Sequence, residues 1–173
     1  MSELARHLNG LTVEALSPDG RIRAVAAGLG RPRIQFDDPD EFNAYRDTST
    51  LSVESGTALT RAVAQWRKQR HDLIDKYARA NHNGPHWDVH RRQMYAQLEQ
   101  TQVQGQAPKD LVRVITTGLV SWRVGIRPGA LEELTAGAFC TATNAAIQDA
   151  AREHRKAMQK LKSQYLGDLI RMR

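Results

Sequence analysis

Residues 13–36, VEALSPDGRIRAVAAGLGRPRIQF, lie without a gap over residues 103–126, VQGQAPKDLVRVITTGLVSWRVGI, at a fixed step of 90. Six pairs are identical: Val13/Val103, Pro18/Pro108, Arg23/Arg113, Gly28/Gly118, Leu29/Leu119 and Arg33/Arg123. Ile22/Val112, Val25/Ile115, Ile34/Val124 and Phe36/Ile126 stay apolar. A repeat of this kind reads as one structural unit used twice, and hence as a fused pseudo-dimer.

Polar and apolar residues alternate through Arg21-Ile22-Arg23-Ala24-Val25-Ala26 and Arg33-Ile34-Gln35-Phe36, as a sheet covered on one face requires. Ser17-Pro18-Asp19-Gly20 has turn chemistry, and Ala107-Pro108-Lys109-Asp110 takes its place in the second copy. The Gly28/Gly118 pair marks the next reversal. The spacing therefore predicts two three-stranded antiparallel meanders, with strands near 11–16, 21–28 and 31–37, then 101–105, 111–117 and 120–127. Trp122, Val124 and Ile126 are expected to face inward, Arg123 and Arg127 outward.

Outside the meanders the apolar spacing turns helical. Leu59, Ala62, Val63, Trp66, Leu73, Ile74 and Tyr77 share a face of a helix over 57–80. Asn83-Gly84-Pro85 ends it, and a second helix over 86–100 carries Trp87, Met94, Tyr95 and Leu98. A third, over 131–165, turns Phe139, Ala142, Ala146, Ile147, Ala150, Met158 and Leu161 inward. Residues 37–54 are acidic and turn-rich and read as a solvated connector without an equally long counterpart. The expected organisation is a first unit over 1–82 (meander 11–37, acidic loop 37–54, helix 57–80). A second unit covers 83–173 (helix 86–100, meander 101–127, helix 131–165). Neither half has a generous core alone, so the fold class is α+β with a core shared by two units.

The formal charge of +6 makes polyanions the natural class of partner. Residues 61–92 hold a net charge of +5, residues 152–173 again +5, and residues 10–60 a net −3, so the basicity belongs to the helices. No catalytic constellation is found. Cys140 is the single cysteine, has no histidine near it in sequence, and reads as a buried small hydrophobe. His82, His86 and His90 are spaced by four, but Gly84-Pro85 interrupts the helix, and no metal site is expected. No phosphate loop and no cofactor fingerprint occurs. No apolar run approaches the roughly 20 residues that span a bilayer, and no signal segment opens the chain, so a cytoplasmic protein is expected.

The second half carries Gln93-Met94-Tyr95-Ala96-Gln97-Leu98-Glu99, Leu111-Val112-Arg113-Val114, Gly118, Trp122-Arg123-Val124-Gly125-Ile126, Pro128, Ala130-Leu131 and Glu132-Glu133-Leu134. It continues through Ala138-Phe139, Ala145-Ala146 and Lys156 to Met158. This order over 86–165 resembles the YbaB/EbfC family of bacterial nucleoid-associated proteins, and 10–80 looks like a more divergent copy. The resemblance implies an α+β fold dimerising through its sheets, with helices as arms around DNA and little sequence preference. Carried over by position, the DNA-binding residues are Arg91 and Arg92, then Arg152, Arg155, Lys156 and Lys160; the repeat adds Arg67, Lys68 and Arg70. Two departures stand out: only residues 2–9 precede the first strand, and the family's Gly/Met/Pro-rich tail is missing. The reading is therefore a nucleoid protein holding duplex DNA by its phosphates, whether as one chain or a homodimer. Its alternative is an adaptor that binds a protein partner through 37–54.

Overall fold

The computed structural model describes residues 3–78 and 89–171. A short helix α1 (Glu3–Gly10) leads into strands β1 (Thr12–Leu16), β2 (Ile22–Ala27) and β3 (Arg31–Phe36), and then into the long helix α2 (Thr48–Ala78). The second half repeats the order: α3 (Val89–Gln100), β4 (Gln102–Gln106), β5 (Val112–Thr117), β6 (Ser121–Ile126), a single turn α4 (Ala130–Glu133) and the long helix α5 (Ala136–Arg171). The strands form two separate antiparallel sheets, ordered β1-β2-β3 and β4-β5-β6. Their registers correspond at the step read from the sequence: Ala15 faces Ala24 and Gly105 faces Val114, while Ala24 faces Ile34 and Val114 faces Val124. Both Gly28 and Gly118 stand at φ +60°, the left-handed conformation that strains any side chain, which explains why this turn position is identical in both copies.

The long helices repeat at a slightly different step. Leu51, Ser55, Ala58, Leu59, Ala62 and Trp66 are buried along α2; Phe139, Thr143, Ala146, Ile147, Ala150 and His154 are buried along α5, each 88 residues on. The two lost residues lie in the connections, since 37–47 is two residues longer than 127–135. Three expectations change here. Residues 37–54 are not a solvated loop: a 3₁₀ turn over Pro39–Ala44 buries Phe42, Tyr45 is buried beside it, and α2 begins at Thr48 rather than 57. Phe36 packs edge-on against both rings, which draws the segment onto the core. Asp47 then accepts from the Thr50 amide at 2.7 Å, capping α2 in a way that the turn-rich composition concealed. The third helix likewise does not run unbroken from 131, because Leu134 is extended and Thr135 starts α5 afresh, its Oγ1 accepting from the Ala138 amide. The ends expected at 79–80 and 86–88, with the Asn83-Gly84-Pro85 stop and Trp87, lie outside the described residues.

Each long helix covers its own sheet and also the last strand of the other: α2 lies on β1, β2 and β6, α5 on β4, β5 and β3. One apolar core results, drawing Ile22, Ile34, Leu59 and Trp66 together with Val112, Val114, Phe139 and Ile147. Each fully buried Leu, Ile or Phe contributes about 1.5–3 kcal/mol, so this burial dominates the energetics. Hydrogen bonds of about 1 kcal/mol each then fix the register. Asn144 on α5 behaves as a surrogate strand residue: its Oδ1 accepts from the Ile34 amide at 2.9 Å, and its Nδ2 donates to the Ile34 carbonyl at 3.1 Å. On the other side Thr60 on α2 accepts from the Trp122 amide at 3.0 Å. The clamps are not equivalent by repeat, because Pro32 stands where Trp122 does and has no amide to donate. Gly56 stands where Asn144 does, and a Cβ there would come within 2.9 Å of the Trp122 carbonyl. Helix and strand also approach closely at Gly105, where a Cβ would meet the Ala146 carbonyl at 2.0 Å.

A smaller apolar cluster, Met94, Leu98 and Leu161 with Met158 and Tyr165, holds α3 on α5. His154 is buried at its inner end with Nε2 unpartnered. Burial holds its imidazole below the usual pKa, against the opposing pull of the Leu98 backbone. In the first half the short α1 lies on α2, with the His7 and Tyr77 rings 5.2 Å apart.

Three outcomes follow from this packing. Asn144→Ala removes both bonds to β3 and is expected to lower unfolding stability by about 1–3 kcal/mol; an unchanged urea midpoint would show that water replaces the clamp. Gly105→Ala, with no room for its methyl, is expected to lose about 3 kcal/mol, and wild-type stability would mean that α5 can shift freely on β4. Because the folded pKa of His154 is depressed, its contribution is intact above the ordinary value of 6.5 and is lost as pH falls through the folded value. Asp19, Asp37, Asp47 and Asp149, all held below the ordinary value of 3.8, act only in more acid solution. Urea unfolding at pH 7.5 and 5.5 should therefore show a loss that His154→Gln diminishes; an equal loss in the variant would assign it elsewhere.

Candidate nucleic-acid interface

Arg152, Arg155, Lys156 and Lys160 stand at intervals that return to one side of α5, and all four are exposed. The opposite side carries His154 and Leu161 into the contact with α3, so packing fixes the direction of the cationic stripe. Arg152 pairs with Asp149 at 2.8 Å and Lys156 with Glu153 at 2.6 Å, both within one helical turn. Exposed pairs of this kind are worth no more than about 0.5 kcal/mol and exchange readily for a phosphate. Arg155 and Lys160 have no carboxylate partner among the described residues.

The first half offers a weaker version. Arg67 and Lys68 stand 88 residues before Arg155 and Lys156, but Arg67 reaches Glu99 on α3 at 3.4 Å. Arg70 lies 5.9 Å over the Trp66 ring, and Lys68 is exposed. Arg91 and Arg92 are exposed on α3, which the Met94–Leu161 cluster and a 2.8 Å bond from the Tyr165 hydroxyl to Gln97 bind to α5. The expected residues thus fall into two groups: Arg91 and Arg92 with the α5 stripe on one helix pair, and Arg67, Lys68 and Arg70 on α2.

Two arginines escaped the expectation that basicity belongs to the helices. Arg31 and Arg33 project from β3 and line, with Arg152, Arg155 and Gln148, a groove of about 400 Å³ between that edge strand and α5. Both are exposed on β3, and what places them beside α5 is a contact across more than 100 residues, which local periodicity does not carry. The net −3 of residues 10–60 hid them as well, since its acids serve elsewhere. Asp37 and Glu14 both grip Arg23. Asp38 accepts from the Asp40 amide, Asp47 caps α2, and Glu54 accepts from the Asp19 amide at 3.0 Å. Burial opposes ionisation of Asp19, but bonds from Ser17 and Tyr45 outweigh it and hold the carboxyl below its usual range. Residues 37–54 are thereby fastened to the first sheet rather than forming a free loop, while Asp37, Asp38 and Asp40 stay exposed.

Cys140 is only partly buried, and burial pushes its thiol up. Of the histidine run, His82 and His86 lie outside the described residues, as does the His90 side chain. No helix among the described residues is long and apolar enough to cross a membrane. Compared with protein-family models, with curated proteins and with solved structures, the chain shows no match.

Proposed function

We propose that this chain is a YbaB/EbfC-like pseudo-dimer, one polypeptide supplying both halves, that binds duplex DNA in the nucleoid with low sequence specificity. The observation that carries the reading is the α5 stripe: four exposed cations on one side of a 36-residue helix, with Arg155 and Lys160 free of carboxylates among the described residues. A guanidinium or ammonium so placed meets phosphate without first breaking an internal pair. Recurrence of Arg67 and Lys68 at the matching positions of α2 supports two contact surfaces per chain. Arg91 and Arg92 extend the α5 surface along α3, and Arg70, stacked on Trp66, extends the α2 surface. Such contacts position the protein on the duplex without reading bases, which accounts for the low specificity.

Titration of a random-sequence duplex across a salt series tests this. Binding is expected to weaken linearly in log–log form as salt rises, and each phosphate contact removed should reduce the slope by about 0.9. Arg155→Gln with Lys160→Gln, on an unperturbed fold, should therefore flatten it by about 1.8. Absence of binding by the wild-type chain at low salt overturns the proposal.

A further inference from the structure

Several arginines in or beside the strands are neutralised by carboxylates: Arg21 by Asp19, Arg23 by Asp37 and Glu14, Arg127 by Glu133. The groove between β3 and α5 gathers arginines that are less well matched. Arg31, Arg33, Arg152 and Arg155 all line it, and among the described residues only Arg152 has a carboxylate partner, Asp149, which also accepts from the Gln106 amide at 3.0 Å. Like charges gathered at one cavity repel unless an anion enters.

The repeat supplies an internal comparison. A groove of about 400 Å³ between β6 and α2 overlaps the related place, sharing Trp122, Arg123, Gly56 and Thr60 as counterparts of Pro32, Arg33, Asn144 and Gln148, and extends toward the start of α2 past Val53 and Arg61. Arg61 there is turned to the Leu16 carbonyl at 3.2 Å. By the steps of 90 and 88, Ser121 stands for Arg31, Ala64 for Arg152, and Arg67, tied to Glu99, for Arg155. The four cationic positions of the β3–α5 groove thus keep two cations in the other half, Arg123 and the Glu99-paired Arg67, so the full cluster is not a by-product of laying a helix along an edge strand.

We infer that the β3–α5 groove is a phosphate-binding site, in which Arg31 and Arg33 from one half and Arg152 and Arg155 from the other converge on a phosphate or two adjacent phosphates. Planar guanidinium forks suit such oxygens, and the cavity volume matches a compact ligand. The phosphates come either from a nucleic-acid backbone or from a free pyrophosphate-bearing molecule. The inference goes beyond the DNA reading, because its two β3 arginines lie off the helical arms and the site does not require a duplex.

Calorimetric titration of the full chain with inorganic pyrophosphate, and separately with a random duplex, tests it. The comparison variants are Arg31→Ser with Arg33→Gln, and Arg155→Gln; Arg123→Gln in the other half is the control, and thermal melting verifies the fold. The expected result is a single pyrophosphate site weakened at least about tenfold by either set and unchanged by the control. Loss of duplex affinity in the β3 variant alone, with no pyrophosphate binding, assigns the site to backbone phosphates; pyrophosphate binding without duplex binding assigns it to a free ligand and overturns only the DNA reading. If neither ligand distinguishes wild type from the β3 variant, the site does not exist, even where the wild-type chain binds DNA.

Discussion

Three strands make a sheet with an edge on each side, and an edge strand must be covered or paired if its backbone is not to solicit other chains. Here β3 and β6 are covered by the long helix of the opposite half, which is the constraint on which the rest of the fold depends. Because α5 must reach β3 and α2 must reach β6, the two halves cannot separate without exposing Ile34, Trp122 and Val124, all buried in the one core. The helices extend well past the sheets for the same reason: their inner turns are committed to covering, and their outer turns carry α1 and α3.

Specificity within this arrangement comes from small polar devices rather than from added burial. A carboxamide reproduces the spacing of a strand's donor and acceptor, so Asn144 can pair with Ile34 as a neighbouring strand would. At β6 the same need is met by the Thr60 hydroxyl two residues along the strand, with Gly56 giving the helix room to approach. Pro32 forbids the Thr60 solution at β3. Two different clamps therefore satisfy one geometric requirement, each fitted to the residue that the strand presents.

What the sequence shows and what it withholds divide along the range of the interactions. The step of 90 places all six strands because alternation and turn residues are local, and the inward faces of α2 and α5 follow from a 3.6-residue period. The start of α2 at Thr48 is hidden because Ser, Thr and Asp at 47–50 read as loop until Asp47 is seen to cap a helix. The anchoring of 37–54 depends on Phe36, Phe42 and Tyr45 meeting as a cluster, and aromatic spacing alone does not reveal it. The change of step from 90 to 88 also has no local signal, since the two residues are absorbed in connections that differ in composition. Most consequential for the site, the placement of Arg31 and Arg33 beside Arg152 and Arg155 is tertiary, and a charge count by segment assigns them to a region of net negative charge.

In a homodimer every substitution appears twice, so both equivalent grooves must carry the same side chains. A repeat within one chain lifts that restriction, and the residues on the page use the freedom. Arg31 corresponds to Ser121 in the other half, and Asn144 to Gly56. The β3–α5 groove gathers four guanidinium groups, whereas the groove between β6 and α2 has two, Arg61 and Arg123, beside Val53, Trp122 and Val124. Charge on α5 and β3 spans the boundary between the halves, whereas on α2 Arg67 is drawn to Glu99. On the proposal that the chain binds DNA, a duplex would engage the α5, α3 and β3 side more strongly than the α2 side, where Arg67 is already paired.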